Sequence, residues 1–208
     1  MDRLLRPFVV VHHPLVLAAP VPLREWAPDL PAGDLRSISL HWTARDYESV
    51  FPAYHFCVSR PDDVLVTYTH DLRENMRDVR LEPSLPYAPH TRGRNAWSIG
   101  LSIAAMKGST PQDFGAYPLT EPQLDGLCQV AARLAAFYGI DVAAIRTHAE
   151  AAIDDDYFGA GGEDVRWDIA RLRPSPEPLV PEEARTTGDW FRNRIDDLQA
   201  RMRAARAR

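Results

Sequence analysis

The hydrophobic pattern changes period several times along the chain, and each change marks an element. Leu35 to His41 alternates well enough for a strand. Tyr54 to Ser59 and Val64 to Thr69 are β-rich runs on either side of Arg60-Pro61-Asp62-Asp63, which predicts a hairpin. Ser98 to Met106 is nearly continuous in apolar character, as expected of a central strand buried on both faces. The period then lengthens. Leu124, Leu127, Ala131, Leu134 and Tyr138 recur at helical spacing. Thr120 and Gln123 suit a capping box at the start of this helix, Pro122 is tolerated in its first turn, and Gly139 supplies the stop. Val142 to Thr147 predicts a short strand that delivers His148. Strands interleaved with helices in one unit predict an α/β fold, a central mixed β-sheet flanked by helices.

The ends read differently. Residues 1–34 pair a β-like run, Phe8 to Val11, with a proline-rich stretch ending at Gly33, and predict a wrapping N-terminal arm. Residues 35–173 form the main domain. Residues 174–187 are rich in proline and acid and predict a linker. In the last segment, 188–208, Phe191, Ile195, Leu198 and Met202 step by four, three and four residues, the seam of an amphipathic helix. Arg192, Arg194, Arg201, Arg203, Arg206 and Arg208 decorate it. Such a helix packs on its own domain or pairs with a copy of itself.

Composition narrows the possibilities. A chain of 208 residues with 45% hydrophobic and 25% charged residues can build one substantial core. The net charge of −5 argues against a general nucleic-acid binder. Two cysteines, Cys57 and Cys128, predict buried free thiols and exclude a disulfide framework. No apolar run approaches membrane-spanning length. Arg3 and Arg6 before FVVV imitate a secretion signal, but His12, His13 and Pro14 break the apolar stretch, so synthesis as a cytoplasmic protein is expected.

Three residues carry candidate chemistry. His41 in SISLHWTA, His148 in RTHAE and Asp168 in RWDIARL each lie at the edge of an apolar, strand-like run. Two imidazoles and a carboxylate, with a fourth position for water, is how a catalytic zinc is held. Taken singly, each has a plainer reading: a hydrogen-bonded structural histidine, or a surface carboxylate or helix cap.

The order of segments decides between these readings. An apolar strand ending in histidine (SISLHWTA) precedes a Tyr-His-Phe strand (AYHFCVSRPDD). HTRGRN leads into SIGLSIA, followed by LTEPQLDGL, RTHAE and RWDIARL. From about residue 35 to 172 the chain resembles the zinc-dependent N-acetylmuramoyl-L-alanine amidases of the type 2 family, which include T7-type phage lysozymes and peptidoglycan recognition proteins. The resemblance implies a Zn2+ site made by His41, His148 and Asp168, and hydrolysis of the amide between N-acetylmuramic acid and L-alanine in peptidoglycan. It implies Tyr54 and Arg166 as catalytic groups, Arg166 standing where T7-type members have lysine. An arginine there stays cationic but cannot shuttle a proton. Its plainer reading is an ion pair with Glu163 or Asp164.

Two further departures bear on mechanism. Ser102 stands where muropeptide-recycling members carry a glutamate base, which favours the tyrosine type. The stretch between His148 and Asp168 is long, holding Asp154, Asp155, Asp156 and Gly159 to Gly162, and leaves Asp164 as a reserve third ligand. His90, Arg92, Arg94 and Asn95 form a donor-rich loop suited to acetamido groups and peptide carboxylates, or simply a hydrogen-bonded turn around Gly93. Trp42 and Trp97 are expected in the core, and His55 is expected to point away from Tyr54. The expected function is a phage or prophage endolysin acting on the wall after release. Its rivals are a muropeptide-recycling amidase and a non-catalytic peptidoglycan-binding protein.

Overall fold

The computed structural model describes residues 20–159 and 166–207. The predicted run Phe8 to Val11, His12, His13, Glu163 and Asp164 lie outside the described residues. Six strands form one mixed sheet: β1 (Val21–Pro22), β2 (Ser37–Trp42), β3 (Phe56–Ser59), β4 (Leu65–Tyr68), β5 (Ser98–Ile103) and β6 (Ile145–Thr147). Their order is β1-β4-β3-β5-β2-β6, with β3, β5, β2 and β6 parallel and the β3–β4 hairpin and β1 antiparallel. Among the described residues, three α-helices accompany the sheet: α1 (Glu121–Tyr138), α2 (His148–Asp154) and α3 (Pro181–Arg206).

Register explains why the sheet has two chemically different faces. Side chains alternate across a strand, and partners in register share a face. Ile38, Leu40 and Trp42 therefore lie beside Ile99, Leu101 and Ile103, and beside Phe56, Val58 and Val66. All nine belong to the main core, together with Leu124, Leu127, Ala131 and Leu134 of α1. The opposite face carries Ser39 and His41, then Ser98, Gly100 and Ser102, then Cys57 and Thr67. Every residue of β5 is buried, so the expectation of a central strand holds. Its apolar run is nonetheless an alternation of large and small residues. The small ones make room for the candidate site.

Helix starts differ from expectation. Thr120 precedes α1 but makes no side-chain cap; its hydroxyl donates to Gln123 Oε1 (3.1 Å). Gln123 is turned into the core, where its amide donates to Ala104 O (3.0 Å), so the predicted box is absent. Gly139 ends the helix at φ 67°, in the left-handed region glycine occupies without strain. The complete capping box lies at Thr147 and Glu150. Thr147 Oγ1 accepts from Glu150 N (3.2 Å) and Glu150 Oε2 accepts from Thr147 N (2.9 Å). Val142–Ala144 is a 3-10 turn rather than strand, leaving only Ile145–Thr147 in the sheet.

The predicted linker is held in place. The helix begins at Pro181, a favoured first-turn residue, with Glu182 and Glu183 in its first turn facing the positive end of the helix dipole. Residues 174–180 are tied by the buried Arg171, whose guanidinium donates to Pro111 O (3.0 Å), Ser175 O (3.1 Å) and Glu183 Oε2 (2.5 Å). The seam of α3 is used by its own chain: Phe191 and Ile195 are fully buried, and Gln199 donates to Ala132 O in α1 (3.3 Å). Near its start α3 comes so close to α2 that a Cβ on Gly188 would lie 2.1 Å from the Glu150 carboxylate. Arg192 forms two hydrogen bonds with that same carboxylate, at 3.0 and 2.8 Å. This partly buried pair couples α3 to the first turn of α2, and so to His148.

The described part of the N-terminal segment contacts the sheet at two places. Val21–Pro22 adds to the sheet edge at β4, and the buried Trp26 packs edge-on against Phe56. Cys57 and Cys128 are buried free thiols. Among the described residues, no helix is long and apolar enough to cross a membrane.

Candidate metal centre

Three parts of the chain supply the centre. His41 comes from β2, on the polar face of the sheet, in register with Ser102. His148 is the first residue of α2, aimed by the capping box one residue earlier. Asp168 sits in a turn (residues 167–169), anchored by Trp167 and Ile169, both buried in the core. Trp167 meets Trp42 edge-on at 5.1 Å, which places Trp42 in the core as expected. Ile169 has φ 54°, a left-handed conformation that a β-branched residue adopts only when its surroundings impose it. The turn is bolted on both sides of the carboxylate.

Geometry then suits a cation. Asp168 Oδ1 accepts from Trp42 N (2.7 Å), which leaves Oδ2 to face the two histidines. Oδ2 lies 2.8 Å from His41 Nδ1 and 3.5 Å from His148 Nδ1. The three ligand atoms all fall within 4.8 Å of one another. Ligand atoms around a tetrahedral zinc are about 3.3 Å apart, given bonds of about 2.0 to 2.2 Å, and the two measured edges bracket that figure. The side chains of His41 and Asp168 are 1% and 4% exposed, whereas His148 is 18% exposed. Solvent therefore reaches the centre from the His148 side.

Burial sets the protonation of the surrounding groups. It lowers the pKa of His41, and the hydrogen bond to Asp168 opposes it only in part, so the imidazole is neutral near pH 7 and ready to ligate. Tyr54 packs its ring 4.9 Å from that of His41 and donates to Trp42 O (3.3 Å). Burial, with the Asp168 charge adding to it, pushes the Tyr54 phenol well above its ordinary value. A phenol so placed is a hydrogen-bond donor.

The loop from 70 to 97 covers the polar face, and its function differs residue by residue. His90 is buried, and a Cβ on Gly100 would lie 2.5 Å from its ring, so the small residue in SIGLSIA is what lets the loop settle on β5. Asn95 acts within its own turn, accepting from Thr91 N through Oδ1 (2.8 Å). Arg94 reaches across to α2 and pairs with Asp155 (2.7 Å) and Asp154 (3.6 Å). Arg92 is exposed, with its guanidinium 5.5 Å over the Tyr157 ring, which in turn lies 5.9 Å from His148. Arg92 and Tyr157 thus form the lip on the open side. Arg166 is half-buried two residues before Asp168, in a backbone bridge to Gly159. Trp97 is half-buried beneath the Arg36 guanidinium, 4.5 Å from its centroid, rather than in the core.

Several contributors carried little sequence signal. Asn75 is buried and holds the loop by donating to Ala88 O (3.1 Å) and Asn95 O (2.7 Å) while accepting from Ala88 N (2.8 Å). Thr91 lies between two histidines, and Tyr157 lies beside a third. No periodicity marks such residues, because their partners are remote in sequence. His55 is held by β5 instead: its Nδ1 accepts from Gly100 N (2.9 Å), and its ring lies 5.8 Å from that of His90.

His55 makes the fold acid-sensitive. Burial, with His70 nearby, pushes its pKa from 6.5 down to about 3. Between those values the unfolded chain binds a proton that the folded chain refuses. Stability is therefore full above pH 6.5 and falls as the pH drops toward 3, by about 1.4 kcal/mol per pH unit for each such group. His41 and His90 are shifted in the same direction. Melting temperatures of metal-free protein should fall steadily from pH 7 to 4.5, and a flat profile would contradict neutral buried histidines.

The fold and the site together define a mixed α/β protein with a buried His-His-Asp cluster that could hold a metal ion. No protein-family model and no curated protein matches the chain.

Proposed function

We propose that this protein is a zinc-dependent amidase that hydrolyses the bond between N-acetylmuramic acid and L-alanine in peptidoglycan, as a phage-type endolysin does. The observation carrying this reading is the convergence of His41, His148 and Asp168 beside the Tyr54 ring, drawn from segments in the order of the type 2 amidases. Zinc held by these three residues would supply a bound water of near-neutral pKa and polarise the scissile carbonyl. The chain's own residues do the rest. Tyr54 offers a hydrogen bond from its phenol to the developing oxyanion, or its proton to the leaving amine. Arg166, two residues before the third ligand, contributes a fixed positive charge. Ser102 is fully buried and donates to Phe56 O (3.3 Å), so it offers no base, which supports the tyrosine type over the recycling type.

Substrate contacts divide by exposure. Arg92, at the open lip, is placed to receive a carboxylate of the stem peptide. His90 and Asn95 shape that loop from below. Intact peptidoglycan, with its glycan strand and stem peptide, is the proposed partner, reached after release from the cytoplasm by a separate factor. Purified protein incubated with sacculi should expose new L-alanine amino termini without new reducing sugar ends. Cleavage confined to soluble muropeptides would favour the recycling reading. Binding to sacculi without new amino termini would favour a non-catalytic binder.

Arg166 is tested by kinetics. A group that stabilises the oxyanion acts more in the transition state than in the ground state, so its loss lowers kcat with little change in KM. Arg166→Ala should cost roughly 3 to 4 kcal/mol in activation free energy, and Arg166→Lys should retain much of the activity by keeping the charge. An alanine variant with normal kcat removes Arg166 from the mechanism and leaves it a structural cation.

A further inference from the structure

The geometry points to Thr91 as the positioning residue that sets which nitrogen of His41 is free to bind metal, an inference that rests on the metal-centre reading above. Thr91 is 1% exposed, and its hydroxyl sits between two buried imidazoles. Its Oγ1 lies 3.1 Å from His41 Nε2 and 2.9 Å from His90 Nδ1. Its backbone is fixed independently, since Thr91 N donates to Asn95 Oδ1 (2.8 Å). His90 is fixed as well, seated against Gly100.

Proton counting gives the hydroxyl its role. Nδ1 of His41 faces Asp168 Oδ2 at 2.8 Å, so Nδ1 is the nitrogen turned toward the centre. Without an ion the Nδ1 proton bridges to Asp168; a ligating nitrogen carries no proton, so once metal binds Nδ1 the single proton of neutral His41 must sit on Nε2. A buried N–H needs an acceptor, and Thr91 Oγ1 is the acceptor in reach. The hydroxyl has one proton of its own. Accepting from His41, it donates to His90 Nδ1, completing a line His41 Nε2–H to Thr91 O–H to His90. An outer partner of this kind fixes both the tautomer and the ring orientation of a metal-bound histidine. Valine at this position keeps the shape and loses the acceptor; serine keeps the acceptor.

The test measures zinc affinity by competition with a chelator, on wild type, Thr91→Val and Thr91→Ser. Loss of such an outer partner costs 10- to 100-fold in affinity, so Thr91→Val should bind zinc that much more weakly and Thr91→Ser should recover most of the loss. Nitrogen-15 chemical shifts of the zinc-loaded wild type give a readout that needs no variant: His41 should be protonated at Nε2 and metal-bound at Nδ1. Zinc uptake by wild type with equal affinity in Thr91→Val, or with His41 bound through Nε2, overturns the role of Thr91 and leaves the metal centre standing. Failure of wild type to take up zinc overturns the metal centre and this role together.

Discussion

Purified protein should carry about one zinc ion per chain, and His148→Ala should lose both the metal and the hydrolytic activity while remaining folded. The expectation rests on ligand count. Three protein ligands with one open position form a complete catalytic set, and two do not hold the ion against buffer and competing chelators. His148 is the better first substitution because it is partly exposed and lies at a helix start, where alanine is tolerated. His41→Ala should have the same effect on metal and activity, with an added loss of stability, because His41 is buried in a central strand and its removal opens a cavity. Metal analysis of both variants, with circular dichroism to confirm folding, decides the matter. Zinc retained by both would rule out this centre and return Asp168 to a structural role, holding Trp42 N.

Tyr54→Phe should keep the zinc and slow turnover by a factor on the order of 10² to 10⁴, the range for a lost proton-transfer or positioning group. Stability is expected to change little. The phenol makes one long hydrogen bond, 3.3 Å to Trp42 O, and such a bond contributes about 1 kcal/mol or less. The ring itself, tilted against that of His41, is preserved by phenylalanine. A large rate effect with an unchanged melting temperature is therefore the signature of a functional hydroxyl. An unchanged rate would make Tyr54 a packing residue and leave the proton donor unidentified.

Elements were legible wherever the cause was local. The alternation in Leu35 to His41, the hairpin around Arg60 to Asp63 and the helical spacing from Leu124 to Tyr138 depend on side chains a few residues apart. Gly139 ends α1 because only its own backbone is involved. Errors arose where two local signals competed. Thr120 and Gln123 have capping-box chemistry, but Gln123 found a better partner in Ala104 O, while Thr147 and Glu150, with the same signal, formed the box. Proline and acid at 174–187 suggested a linker, yet Pro181 and the acids after it open a helix, and the buried Arg171 ties down the segment before it.

The sequence by itself determined the candidate ligands as types and segments: a histidine ending a strand, a histidine just after a short strand, an aspartate at the edge of an apolar run. Only the tertiary structure decided that they meet. His41 and Asp168 are 127 positions apart, and their contact depends on β2 and β6 being neighbours and on Trp42 N holding the carboxylate. Tertiary structure also decided what the donor-rich loop does. It buried His90, spent Asn95 on the turn, turned Arg94 onto Asp155 and left Arg92 at the lip. The physical reason is that a strand or helix is a property of neighbouring residues, whereas a binding centre is made by burial and hydrogen bonds between remote ones, whose partners exist only after the sheet has closed.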